Sequence, residues 1–401
     1  MAETYKILGQ IAPSNTNEQI LYTSPSGAQT LVTNITATNR AGSSQTFDIN
    51  VYSSVPTLSA TLVPTFVGVS RTGTTATSST DGITWTIRTL STSSSLWSSL
   101  VFGNGTFFIS GLSGSAASST DGITWTTVNM PSASYFIAST FGNNTFVSIA
   151  QGSSTAASST NGITWTLRTI SSNASWATAT FGNNTFVAVV SGSTTAASST
   201  DGITWTTRTM PVSTSWYASA FGNNAFVVLA SGTTTAASST DGITWTLRTL
   251  PSSASWRSVV YGSNKFVAVA NGYQTQAVYS TDGITWGLSN LPNSRNWLTV
   301  SYGNNSFFAF AYASTTGSSS TDGITWTLRT LPSNATWNVS TYGDVALPYV
   351  SPKLNNLYKN ATIAANQLEV LEPGITLGAQ NSIVVKGTSN LTFSAYGVEI
   401  S

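Results

Sequence analysis

The feature that most constrains what this 401-residue chain can fold into is an internal repeat. The string Thr-Asp-Gly-Ile-Thr-Trp, with one Asp-to-Asn change, occurs seven times, its acidic position at Asp81, Asp121, Asn161, Asp201, Asp241, Asp282 and Asp322. The box closes each time on a tryptophan: Trp85, Trp125, Trp165, Trp205, Trp245, Trp286 and Trp326. The spacing is 40 residues except for one step of 41. Two further landmarks keep the same period: an aromatic six residues before a glycine, as in Trp176 to Gly182, and an apolar run opened by phenylalanine, as at Phe186. A period of this length marks a repeat architecture, in which each unit is one supersecondary element stacked on its neighbours.

Within a unit, short runs of β-branched and aromatic residues alternate with turn residues, and no segment sustains a 3.6-residue apolar period. Each unit reads as four strands, A to D, for which Trp176–Phe181, Phe186–Val190, Ala196–Ser199 and Ile203–Thr209 serve as the example. Four strands every 40 residues predict a β-propeller blade. The array begins at Phe66 with strand B and ends at Trp337–Gly343 with strand A, so pairing the last strand with the first completes a seventh blade from both ends. The predicted class is therefore all-β: a seven-bladed propeller over 58–345, inserted into a small β-sandwich made by 1–57 and 346–401. Strand-like runs in those flanks are Tyr5–Ile11, Gln19–Tyr22, Thr30–Ala37, Gln45–Tyr52, Ala361–Ala365, Ser382–Lys386 and Leu391–Ile400, with short connectors near Ser54–Thr61 and Leu347–Pro352.

Composition removes most chemistries. Only 7% of residues are charged and the net charge is +1, which excludes electrostatic capture of nucleic acid or of an anionic membrane. There is no signal-peptide pattern and no run of apolar residues long enough to span a bilayer, so synthesis in a cytoplasm without membrane insertion is expected. With no Cys and no His, thiol chemistry, the usual zinc ligands and Ser-His or Cys-His nucleophiles are absent. No metal site, cofactor or catalytic residue is predicted.

The repeated box resembles the Asp-box of sialidases and related propellers, here one residue shorter between Asp81 and Gly82. That resemblance implies a hairpin between strands C and D, away from the axis, without a catalytic role. Turn chemistry agrees: Asp or Asn can accept the backbone N–H groups of its own turn, Gly allows positive φ, and Trp covers apolar surface. A glycosidase needs paired carboxylates or an activated Tyr. Between Phe66 and Gly343 there is no Glu and every Asp lies in a box, so a non-enzymatic chain is expected. Arg88, Arg168, Arg208, Arg248 and Arg329 recur three residues after a box Trp, with Val128 and Ser289 in the other two complete cases; a backbone or aromatic-stacking role is expected for them.

The flanks carry a second resemblance. Tyr5–Gln10, Leu21–Pro25, Asn39-Arg40 and the ending Phe393–Ser401 look like small sandwich proteins encoded among the virion structural genes of tailed bacteriophages, notably those of cyanobacteria. The resemblance implies a virion component present in multiple copies, docked through the sandwich to other virion proteins at the tail, baseplate or fibre, with the propeller free to meet a host-surface glycan, a receptor or a neighbouring virion protein. A capsid decoration or head-fibre protein is the alternative. Within the propeller, the A–B turns and boxes are nearly uniform, whereas the B–C and D–A loops differ between units: Arg71, Met130, Tyr135, Tyr217, Arg257, Tyr273, Gln274, Gln276 and Arg295 lie in or beside them. Aromatic and Arg residues dominate binding energy at interfaces, so the partner-binding site is expected on that face, at Arg257, Tyr273, Gln274 and Arg295.

Overall fold

The computed structural model describes residues 6–11, 19–23, 29–41, 43, 45–52, 61–347, 353–363, 368–371, 375–377, 382–386 and 391–400. Among them the only helical turn is a 3-10 turn at Leu112–Gly114; every other element is a strand. The chain divides into two compact units, Met1–Thr61 with Leu347–Ser401, and Leu62–Ala346.

The larger unit is a β-propeller of antiparallel, four-stranded blades. In the example repeat the strands are Trp176–Gly182, Thr185–Val190, Ser193–Ser199 and Thr206–Thr214, hydrogen-bonded in that order. Burial grades across them. Strand B is buried at nearly every position, strand A at alternate positions, and strand D mainly at one residue, Met210. A strand covered on both faces needs a continuous apolar run, which is why Phe186–Val190 stood out in the sequence. Strand D starts at Thr206 rather than at the expected Ile203, because the backbone N–H groups of Ile203 and Thr204 bond to Asp201 Oδ1 and are withdrawn from the ladder.

Closure joins the ends of the array. Trp337–Leu347 is the neighbour of Thr61–Ser70, which pairs with Gly73–Ser79 and through it with Thr86–Ser94. Both closing strands run beyond their predicted limits, past Gly343 at one end and before Phe66 at the other. Across the seam on one side, Trp85 packs on Phe308 with ring centroids 4.5 Å apart. On the other, Asn338 Nδ2 donates to the Trp97 carbonyl at 2.7 Å.

Counted as hydrogen-bonded sheets, the blades number six, not the seven predicted. Five have four strands; the sixth has six, because Ala225–Ser239 and Thr246–Gly262 run unbroken through positions that are turns elsewhere. The cause is local. Ser255 pairs with both Ser231 and Asn271, so the D–A connector joins the ladders on either side, and the units carrying Asp241 and Asp282 share one sheet.

The smaller unit consists of two antiparallel sheets, each built from both ends of the chain. One orders Lys6–Ile11, Leu391–Ile400, Gln29–Asn39 and Leu368–Leu371, with Ile375–Leu377 also on Gln29–Asn39. The other orders Gln19–Thr23, Ser382–Lys386, Gln45–Tyr52 and Lys353–Ile363. Val32, Ile35, Phe47, Ile49, Ile383 and Phe393 are buried, and Phe47 meets Phe393 edge-on at 5.5 Å. The predicted strand Ala361–Ala365 is replaced by the longer Lys353–Ile363, and Ala364 and Ala365 lie outside the described residues. The expected connectors likewise fall outside them, apart from Thr61 and Leu347.

Candidate binding site at the mouth of the axial channel

The boxes are self-contained turns. Ser199 Oγ donates to Asp201 Oδ1 at 2.8 Å and accepts from Gly202 N at 2.8 Å, while Ile203 and Thr204 donate their N–H groups to the same carboxylate oxygen. Asn161 makes the same set of contacts with Ser159, Ile163 and Thr164, so the turn needs an acceptor oxygen and not a charge. Burial opposes ionisation of Asp201, yet the N–H groups of Thr204 and Ile203 and the Ser199 hydroxyl outweigh it and lower the carboxyl to about 2. The carboxyls of Asp81, Asp121, Asp241, Asp282 and Asp322 are lowered by the same kind of contact, again against burial. Six of the seven box tryptophans, all but the partly exposed Trp205, are at most 8% exposed, and the aromatics that open strand A are fully buried, so these indoles offer no platform to a ligand. Among the described residues, the recurring arginines take neither a backbone nor an aromatic side-chain partner. Nε of Arg88, Arg168, Arg208, Arg248 and Arg329 donates instead to a strand-C serine, at 2.9 Å to Ser78 in the first case.

Strand A places a different set of side chains on the axis. The residue following each opening aromatic is Ser98, Ile137, Ala177, Tyr217, Arg257, Leu298 or Asn338, and all seven line one channel of about 230 Å³. Deeper in, hydroxyls form a belt; Thr178 Oγ1 meets Ser219 Oγ at 2.6 Å, and Thr299 Oγ1 meets Ser340 Oγ at 2.9 Å. The ends of the channel differ in character. Asn104, Asn143, Asn183, Asn223 and Asn304, in the A–B turns, donate to the carbonyl of a box threonine, which puts the turns and boxes on one face. B–C turns and D–A loops bond to each other on the opposite face, as in Gln151 N to Tyr135 O and Ser191 N to Ser175 O.

On that second face the channel opens into a cavity of about 230 Å³, lined by Arg71, Leu96, Ser98, Tyr135, Ile137, Gln151, Ala177, Ser191, Tyr217, Arg257 and Asn338. The Arg257 guanidinium carbon lies over the Tyr217 ring, 4.4 Å from its centroid, a cation–π contact. Burial and then Tyr217 raise the Tyr135 hydroxyl above its usual value, while Ser98, Arg257 and Arg71 act in the opposite direction. Asn338 is 8% exposed; its Nδ2 is held by the Trp97 carbonyl, and its buried Oδ1 has no hydrogen-bond partner among the described residues. No Asp or Glu lines the channel or its mouth.

The residues singled out in the sequence separate into two places. Arg257 belongs to the mouth. Tyr273, Gln274 and Arg295 belong to the loops of one unit, where Gln274 lies opposite Arg295 and the N–H groups of Gly272 and Tyr273 donate to Asn296 Oδ1. Tyr273 is 70% exposed and is held at φ 55. Sequence reasoning noticed Arg71, Tyr135 and Tyr217 as loop variants without seeing that the ring brings them together with Arg257. For Tyr217 and Arg257 the usable signal was the position after the strand-A aromatic, all seven copies of which line the channel; Arg71, in a B–C turn, and Tyr135, just before Phe136, lie outside that position.

Fold and channel together define a β-propeller with a polar axial site. Among solved structures, the chain is similar to "Streptogramin B lyase structure", with a TM-score of 0.55 and 12% identity over 66% of this chain and 95% of that one. It is also similar to a catalytically inactive virginiamycin B lyase from Staphylococcus aureus with quinupristin, with a TM-score of 0.56 and 8% identity over 80% of this chain and 99% of that one. Likeness at these identities shows the fold alone. No protein-family model and no curated protein matches the sequence. The structural comparisons nevertheless correct one expectation. The same propeller serves enzymes, so a non-enzymatic chain does not follow from fold and residue inventory; the inventory argument reached only glycoside hydrolysis.

Proposed function

We propose that this chain is a recognition protein whose propeller takes its partner at the channel mouth on the B–C/D–A face, and whose smaller unit attaches it to a larger particle. The observation that carries this reading is the convergence of Arg71, Tyr135, Tyr217 and Arg257, each from a different sequence repeat, on one cavity with no carboxylate in its lining. Convergent aromatic and guanidinium groups at a concave site are what binding energy is usually built from. In this reading the six-stranded blade counts as two units, which gives seven around the axis, and the two flanking sheets form a β-sandwich. The flanks' resemblance to virion proteins of tailed phages makes the particle a virion, with the sandwich at the tail, baseplate or fibre and the propeller facing the host surface.

Two measurements test the proposal. Mass spectrometry of gradient-purified particles should find the chain in the virion; its absence refutes the attachment half. Labelled full-length chain should adsorb to envelopes from a panel of cyanobacterial strains, and the Arg71→Ala/Tyr217→Ala/Arg257→Ala variant should lose adsorption at an unchanged melting temperature. If adsorption is lost instead with Asn183→Ala/Asn184→Ala on the opposite face, the recognition half is wrong.

A further inference from the structure

The outer strand of a blade turns one edge away from its own sheet, and a free edge is a template for another strand. Thr166–Ala174 is such a strand: it is the last in its sheet and ladders only with Ser153–Ser159. Thr86–Ser94, Thr206–Thr214 and Thr327–Ala335 stand the same way in theirs. Proline and charge are the two devices that keep such edges apart, since proline cannot donate to an incoming strand and a charge resists desolvation. Pro131, Pro211, Pro251, Pro292 and Pro332 occupy one equivalent position, six residues after the box Trp. Two units have serine there, Ser91 and Ser171. They differ in charge. The unit of Ser91 keeps the box carboxylate of Asp81, whereas the unit of Ser171 carries Asn161, the one box of seven without an acid.

Three departures therefore coincide in a single unit. It lacks the proline, it lacks the box charge, and its aliphatic side chains stay in water, Ile163 at 52% and Leu167 at 53% exposure. Arg168 is the only charge along Thr166–Ala174. An antiparallel edge of neutral residues is complementary to itself under a two-fold axis. With the axis at Ile170, Arg168 stands opposite Ser172 of a second copy and Leu167 opposite Asn173, so the two guanidinium groups do not oppose each other.

We infer that two copies of this chain join edge to edge by antiparallel pairing of Thr166–Ala174, which merges one blade of each into a continuous sheet. The contact is independent of what the channel mouth takes.

The test is sedimentation velocity of the full-length chain from about 1 to about 300 µM, with a melting curve for every variant. The unaltered chain should pass from monomer to dimer with a dissociation constant between about 1 and about 100 µM, the strength of a small interface. Ser171→Pro supplies the residue that five other units carry at this position. It should weaken the dimer roughly tenfold or more at an unchanged melting temperature. Leu167→Lys, which puts a charge on the same edge, should do likewise, and it decides the matter if the proline lowers the melting temperature. Ser91→Pro, the same change in the unit of Asp81, should leave the dimer as it was. Amide exchange over residues 166–174 should slow as the concentration rises. The inference is overturned if the chain stays monomeric to about 300 µM, or if the dimer survives both Ser171→Pro and Leu167→Lys. It is overturned too if Ser91→Pro breaks the dimer as strongly as Ser171→Pro.

Discussion

Asn161 stands in one box of seven and makes the turn contacts of Asp201, so the chain already contains its own substitution experiment. Asp201→Asn should therefore change stability by a few tenths of a kcal/mol at neutral pH, whereas Asp201→Ala, which strands two N–H groups and a hydroxyl at a largely solvated turn, should cost about 1 kcal/mol by chemical denaturation. The pH dependence follows from the lowered carboxyls. A carboxylate whose folded pKa lies below its unfolded value stabilises fully above the unfolded value, near 3.8, and loses that contribution as pH falls through the folded value, about 2 for Asp201. Melting temperature should thus hold steady down to about pH 4.5 and decline between about pH 4 and 2. A decline centred above about pH 5 contradicts the box geometry. The role of the box was legible because Asp, Gly and Trp each have one obvious use in a turn. The arginine role was misread because a serine hydroxyl ten residues back, Ser78 for Arg88, leaves no mark in a repeat rich in serine.

Between neighbouring blades the repeated contact is a glycine at the end of strand A lying flat against the aromatic of the next strand A. A Cβ at Gly182 would stand 2.0 Å from Phe221, and the equivalent approach recurs from Gly103 onto Phe141 round to Gly343 onto Phe102. Gly182→Ala should cost about 2–4 kcal/mol, since the ring cannot withdraw without opening the interblade core. Gly192→Ala is the contrast: nothing lies within 4 Å, and only the φ of +71 resists, so about 1 kcal/mol is expected. Equal losses in thermal or urea melts for the two changes exclude the contact as the reason for the glycine. The sequence showed the aromatic-to-glycine interval but not its purpose, because each glycine serves the following unit rather than its own. The count of blades went astray for a related reason: whether Ser255 bridges to Ser231 as well as Asn271 depends on backbone placement that no residue type announces.

For the molecule as a whole, the division at Thr61 and Leu347 predicts that residues 62–346 fold alone and melt cooperatively. Removing Leu62–Ser70 from that fragment should leave the Trp337 strand unpaired and drive aggregation, measured by light scattering; a soluble fragment with an unchanged melting temperature rules out closure by mixed strands. All-β class, repeat, closure and the variable face were readable from the sequence because each is periodic or terminal. The mouth was not, since Arg71, Tyr135, Tyr217 and Arg257 become neighbours only when the ring closes. That closure has an evolutionary consequence. Near-identical repeats in the sequence offer recombination whole units to add or remove. The cycle in which Gly343 receives Phe102 decides which products survive. A unit duplicated in frame brings an extra aromatic and glycine into a circle whose last member already meets its first, and its surplus sheet edge is exposed to aggregation. Copy number is thus policed by protein geometry rather than by the DNA, while the loops around the mouth stay free to diversify.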